Sequence, residues 1–504
     1  MNNTSTNEVS TQQGNAPESS EHTAGPRFLI IGAGMAGMLA AIKLQEAGYT
    51  NMRVYEKASE LGGTWRENTY PGVACDVPSQ LYSYSFAPNP EWSHFFSPGN
   101  EIEAYFKDVA ARFDIMKYIQ FNAEVTRLDY EEGRWHLQTE GGIKDVGDFV
   151  IAATGVLHHP SYPDIKGMDD FEGISFHSAR WDNDIPLVDK RIGIIGTGST
   201  AVQIVSALGG SVKELNVFQR TAQWVLKVEN PPIDENDKKR YRENIDELRG
   251  LHDSLSRWFS DNFANAVVDA DSEMVKLMEK LCVQNLEENV NDPVLREALR
   301  PNYRAACKRL VISPNFYEAI QRPGVNLITS KIDRIEKNGI RTVDGELHEL
   351  DIIVYATGFH VDAFMRPMAV FGRGGESLAD VWHDRPSAYL SISIPEFPNL
   401  FMLNGPNGPV GNFSLIEVAE LQFDYIMQLI DQVLSGQCRE ISATRDALEK
   451  FDEDRIEAAK KTVWVTGCRS WYLDDRGIPV AWPWTFDRFR EEMAAPELSH
   501  YERV

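Results

Sequence analysis

The sequence is short of cysteine, of long apolar runs and of positive charge, and each shortage removes a class of function. Five cysteines, Cys75, Cys282, Cys307, Cys438 and Cys468, are scattered over 504 residues, and no two form a CxxC pair. An odd, dispersed set fits a reduced, cytoplasmic protein better than a disulfide framework. It also leaves no redox-active cysteine pair of the kind disulfide reductases use. No apolar stretch reaches the ~18 residues of a membrane-spanning helix. The N-terminus has no charged segment leading into an apolar core, so a secretory signal is not expected. Lys and Arg number 50 against 75 Asp and Glu, a net charge of −25, which argues against nucleic acid and anionic membrane surfaces as partners. His, Cys, Asp and Glu nowhere gather at metal-ligand spacing, so no metal is expected. Residues 1–26 carry almost no large apolar side chains, and burial there cannot offset the entropy of ordering. A disordered tail is expected.

What is present begins at Arg27. Arg27 to Ile31 is an apolar, β-rich run. Gly32, Ala33, Gly34, Met35, Ala36 and Gly37 follow, then a helical pattern through Met38, Leu39, Ile42 and Leu44, and a second strand from Met52 to Glu56. This is a βαβ unit with a GxGxxG turn. Gly32 permits the tight turn, Gly34 lets backbone approach a pyrophosphate, and Gly37 lets helix and strand pack closely. Glu56, 24 residues after Gly32, is a carboxylate placed to accept from ribose hydroxyls and to repel a 2′-phosphate. The site therefore suits FAD or NAD rather than NADP.

The same plan recurs. A strand from Arg191 to Ile195 leads into Gly196, Thr197, Gly198, Ser199, Thr200 and Ala201, a helix from Val202 to Leu208, and a strand from Leu215 to Phe218. Counting the same 24 residues from Gly196 reaches Arg220, followed by Thr221. A guanidinium in place of the acid can bind a phosphate through two parallel hydrogen bonds, so the second dinucleotide is expected to be NADPH.

Two apolar strands that run into Ala-Thr-Gly, Val150 to Gly155 and Asp351 to Phe359, suggest two crossings between these units. The expected fold is α/β, with two Rossmann-like dinucleotide-binding domains and the second inserted in the first. Residues 27–157 and 356–504 would form the FAD domain and 158–355 the NADPH domain. A helical insertion is expected at about 230–311, where Ile245, Leu248, Leu251, Leu255, Trp258 and Phe259 recur at helical spacing. The Trp- and Pro-rich C-terminal part is expected to wrap the first domain.

Gly62, Gly63, Thr64 and Trp65, then Tyr70, Pro71 and Gly72, then Asp76, match (A/G)GxWxxxx(F/Y)P(G/M)xxxD. Phe171, Gly173, His177, Trp181 and Asp182 match FxGxxxHxxxW(P/D). On these signatures the chain resembles the Baeyer–Villiger monooxygenases from about Arg27 onward. From Asp474 to Pro483 it is closer to the branch resembling 4-hydroxyacetophenone monooxygenase, without that branch's long N-terminal extension.

The resemblance implies FAD and NADPH as cofactors and insertion of one atom of O2 beside a ketone carbonyl, through a flavin C4a-peroxide, to give an ester or lactone. It implies FAD contacts from Gly63, Thr64, Trp65, Asp76, Tyr82 and Val125. NADP contacts are implied for Thr197, Ser199, Thr200, Thr221, Lys308 and Trp471 beside the glycines, Ala201 and Arg220. Arg309 is implied to stabilise developing negative charge, with Asp76 orienting it, and His177 to act as an interdomain hinge. His158 and His159, at a crossover, are expected to be structural. Oxidation of sulfur or nitrogen in sulfides or amines is the alternative chemistry. The ketone and the oligomeric state are left open.

Overall fold

The structure is a computed structural model describing residues 25–411 and 413–504; residues 1–24 of the expected tail lie outside it. Two five-stranded sheets, each wholly parallel, form the frame. The first runs Leu400–Met402, Phe149–Ala152, Phe28–Ile31, Met52–Tyr55, Ile119–Gln120. The second runs Ile174–His177, Ile352–Tyr355, Arg191–Ile195, Glu214–Phe218, Val325–Ile328. The two orders are equivalent strand for strand, with each glycine turn leaving the central strand. They differ at one edge, where the outermost strand comes last in the chain in the first sheet and first in the second.

The inner strands need burial on both faces, as parallel sheets do. Phe28, Leu29 and Ile30 are fully buried, and so are Ile352, Ile353 and Val354. The α/β fold class read from the sequence is the one found. The strand expected over Asp351 to Phe359 is regular only across Ile352–Tyr355. Its continuation bends back so that Ser161 N–H donates to Gly358 O at 2.9 Å and His360 N–H to His159 O at 2.9 Å. The two crossovers therefore lie side by side.

The helical region contains Glu235–Glu243, Ile245–Phe259, Glu273–Asn289 and Pro293–Ala298. It is bracketed by Val225–Leu226 and Val311–Ile312, which pair in parallel, so the chain is returned to the frame just after Arg309. Of the apolar stripe, Leu248 is buried while Ile245 and Trp258 are exposed. Near the C-terminus the tryptophans divide. Trp482 and Phe486 share the core that holds Phe28 and Ile30. Trp464 and Tyr472 pack instead with Val275 and Met278 of the helical region.

One expectation is corrected. Cys307 and Cys468 form a disulfide, with Cα atoms 6.1 Å apart and 161 residues between them in sequence. Only Cys75, Cys282 and Cys438 are free thiols, all buried. Spacing gave no hint because the pairing is made by the fold, which brings the segment before Lys308 against the C-terminal loop. Alkylation in denaturant without reductant is expected to label those three cysteines, and all five after reduction, read by intact mass. Five labelled cysteines in both conditions would remove the bridge. Cys468→Ser is expected to lower stability by about 2–5 kcal/mol, the usual cost of losing a native disulfide. No described helix is long and apolar enough to cross a membrane.

Candidate active site

The first glycine turn ends at the helix Met35–Glu46, whose N-terminus at Gly34 has no side-chain cap and no acid in its first turn. Its leading amides and the positive end of its dipole are thus available to an anion. A Cβ on Gly37 would collide with Gly32 O, so strand and helix approach as closely as the glycine spacing implied. Glu56 is buried. It accepts from Ala33 N–H at 2.7 Å and Ala58 N–H at 2.9 Å, which ties the carboxylate to the turn itself. The second turn repeats this layout: the helix Ser199–Leu208 starts at Gly198, again with no side-chain cap and no early acid.

Both turns open on one cavity of about 670 Å³. Its wall includes Gly32, Gly34, Glu56, Gly63, Thr64, Trp65, Asp76, Tyr82 and Val125 from the first set. From the second it includes Gly198, Ser199, Thr200, Arg309 and Trp471. Trp65 Nε1 donates to Tyr82 Oη at 3.0 Å, fixing two rings on that wall. Gly196, Thr197, Ala201, Arg220, Thr221 and Lys308 stand outside this cavity.

The residues present fit a flat dinucleotide. Gly34 and Gly63 face each other across the wall, and a Cβ built on Gly63 would stand 3.1 Å from the Gly34 Cα. Side chains there would close the approach that a pyrophosphate needs. No group of His, Cys, Asp and Glu suited to a metal occurs among the described residues.

Arg309 and Asp76, 233 residues apart, meet at the cavity wall. Arg309 Nε and Nη2 donate to Asp76 Oδ2 at 3.0 and 2.5 Å, and Nη1 donates to Gly411 O. Burial works against the charge, but Asp76 and the Tyr472 hydroxyl outweigh it and hold the guanidinium above its ordinary value. The cation therefore persists at any working pH. On its other side Arg309 borders a smaller recess of about 70 Å³, lined mainly by apolar side chains including Phe96, Trp258, Phe259 and Phe263. A fixed cation between a dinucleotide cavity and an apolar recess can stabilise negative charge on a polar group of an otherwise apolar molecule.

Arg220 is exposed just beyond the strand Glu214–Phe218. Lys308 lies near it, over the Tyr303 ring at 4.6 Å. Burial, and then the Arg220 charge, pull the Lys308 ammonium below its usual range. Arg220 and Lys308 are thus two cations held within each other's field.

His177 is fully buried. Its Nδ1 accepts from Ala179 N–H at 3.1 Å and its Nε2 meets Gly358 O at 2.9 Å, so the ring is neutral and protonated at Nε2. It fastens the edge strand of the second sheet to the crossover. His159 Nε2 meets Arg366 O at 3.0 Å. His158, expected to be structural, also lines the large cavity. Burial, with His159 and Lys57, pulls it down to about 4, so it is neutral at neutral pH.

Three site residues were not singled out from the sequence, although Gly411 lies in the segment 404–413 expected to help wall the pocket. Gln203 accepts from Tyr70 Oη at 2.8 Å and donates to Ala74 O at 3.0 Å, joining the second glycine helix to the Tyr70–Asp76 loop. Gly411 and Tyr472 both touch Arg309. Only Gly411 had a local signal, the Gly408-Pro409-Val410-Gly411 run, which reads as a turn.

Two uncapped dinucleotide helices opening on one cavity, one turn with an acid and the other with an arginine, define a flavoprotein reduced by a phosphorylated nicotinamide dinucleotide. The comparisons name the family. The model of the flavin-binding monooxygenase-like family matches residues 25–430. An uncharacterized monooxygenase of Mycobacterium tuberculosis is 46% identical, over 95% of this chain and 96% of its own. A Baeyer–Villiger monooxygenase of Streptomyces coelicolor is 37% identical, over 94% and 92%. The solved structure of cyclohexanone monooxygenase from Rhodococcus bound to NADP+ superposes with a TM-score of 0.85 at 28% identity, covering 95% of this chain and 99% of that one. The chain belongs to the flavin-binding monooxygenase-like family, among its Baeyer–Villiger monooxygenases.

Proposed function

We propose that this chain oxidises a ketone to the ester or lactone, with O2 as oxidant and NADPH as reductant. The observation that carries the reading is the Asp76–Arg309 pair, set between the dinucleotide cavity and an apolar recess. FAD, when bound, supplies the activation of O2, with electrons from NADPH. The residues supply the rest. Gly32, Gly34, Gly37 and Glu56 hold the first dinucleotide by its pyrophosphate and ribose, with Gly63, Thr64, Trp65, Tyr82 and Val125 along its length. Gly196 to Ala201 hold the second, Arg220, Thr221 and Lys308 take its 2′-phosphate, and Trp471 borders its nicotinamide end. Arg309 donates to the ketone oxygen as negative charge develops there, and Asp76 holds the guanidinium for that task. The apolar recess takes the ketone's hydrocarbon part and excludes water. His177 links the two dinucleotide domains, 27–157 with 356–504 and 158–355, at their crossover.

The test is a panel of cyclic, linear and aryl ketones beside sulfides and amines under ¹⁸O₂. Esters or lactones carrying one labelled oxygen, formed with NADPH, support the reading. Labelled sulfoxides or N-oxides with no ester from any ketone would replace it with heteroatom oxidation.

A further inference from the structure

Arg309 has five N–H groups in a rigid fork. Two go to a single oxygen, Asp76 Oδ2. A guanidinium held at one oxygen can pivot about it, unlike a fork-to-fork pair that engages both carboxylate oxygens. Something else has to stop that rotation. Nη1 donates to Gly411 O, and the Tyr472 hydroxyl takes a further hydrogen bond. A Cβ built on Gly411 would overlap the Tyr472 hydroxyl, so that hydroxyl lies directly on the Gly411 backbone.

The tyrosine is itself immobilised. It is 1% exposed. Its ring stacks on Trp464, with centroids 5.1 Å apart and planes at 22°, and leans on Trp471 at 4.0 Å. Its loop is pinned at Cys468 by the disulfide to Cys307, two residues before Arg309. Farther along, Val480 N–H donates to Tyr472 O at 2.8 Å, and Trp482 N–H to Gly408 O at 3.0 Å. The fully buried Arg455 donates to Pro479 O.

We infer that Tyr472 is a positioning residue for the reaction: with Gly411 it blocks rotation of the Arg309 guanidinium about Asp76 Oδ2, so that the remaining N–H faces the ketone. Burial pushes the phenol up to about 12, so it stays protonated and neutral across working pH. The inference rests on the ketone-oxidising reading.

Tyr472→Phe keeps the ring stack and removes only the hydroxyl. On the purified holoenzyme, three quantities are compared with the parent: ester formed per NADPH, hydrogen peroxide released, and the rate at which phenylglyoxal modifies Arg309, read by peptide mass. Expected are a drop of about tenfold in kcat for ester, the scale of one lost hydrogen bond to a charged group, with KM for the ketone held. Peroxide release is expected to rise and Arg309 to react faster, at unchanged flavin content and Tm. Unchanged coupling and unchanged Arg309 reactivity would overturn the inference. So would a fall in flavin content and Tm that accounts for the lost activity, since that marks a packing role. A parent enzyme that makes no ester defeats the ketone reading instead, and the phenylglyoxal rates still decide whether Tyr472 holds Arg309.

Discussion

Arg309→Ala is expected to lower kcat for ester formation by about 10²–10³, the usual loss when a preorganised donor to a developing oxyanion is removed, while NADPH consumption continues and yields hydrogen peroxide. The reason is geometric. Arg309 is the cation where the dinucleotide cavity and the apolar recess adjoin. It is held there by Asp76 and Gly411, and its charge persists despite partial burial. Reduction by NADPH needs no donor at that point, so it survives the substitution. A sulfide carries no carbonyl oxygen to stabilise, so any sulfoxidation is expected to fall far less than ester formation. Parallel measurement of ester, sulfoxide and peroxide against NADPH consumed checks this. Equal losses in all three would mean that Arg309 serves binding or folding rather than the ketone step. Asp76→Asn is expected to give a smaller version of the same uncoupling, because the amide still accepts from the guanidinium while the opposite charge is gone.

Arg220→Ala is expected to raise KM for NADPH by about 10–100-fold, the range of one or two charge-assisted hydrogen bonds, with little change for NADH. The preference between the two reductants should therefore collapse. Arg220 and Lys308 sit in each other's field, and that arrangement costs free energy unless an anion lies between them. Losing one leaves the other to hold the phosphate alone, so the double variant with Lys308→Ala should not show the sum of the single effects. Steady-state kinetics with both reductants is the measurement. An unchanged NADPH to NADH ratio would place the 2′-phosphate elsewhere.

Some of this protein was legible without coordinates because the information is local. Each strand, glycine turn and helix of the dinucleotide units spans a few tens of residues, and the offset from Gly32 to Glu56 and from Gly196 to Arg220 is a property of one βαβ unit. The repeated Ala-Thr-Gly strand ends marked the crossovers for the same reason, although the regular strand at the second proved shorter than its apolar pattern. The apolar stripe of the helical region was visible as periodicity. Which of its residues are covered was not, since Leu248 is buried and Trp258 is exposed by the neighbours that tertiary packing gives them.

The tertiary structure alone decided the rest. Sequence spacing carries no signal for contacts made across 161 residues, as between Cys307 and Cys468, or across more than a hundred, as between Tyr70 and Gln203. Asp76 and Arg309 were expected to pair, but the single-oxygen geometry of that pair, and the Gly411 and Tyr472 contacts that stop the guanidinium from turning about it, exist only in three dimensions. Tyr472 reads in sequence as one aromatic among many. It becomes the stop for Arg309 because the disulfide and the Trp464 stack hold its loop against the segment that carries the arginine. Local propensity chooses elements, but the direction of a side chain into a shared cavity is set by what packs behind it.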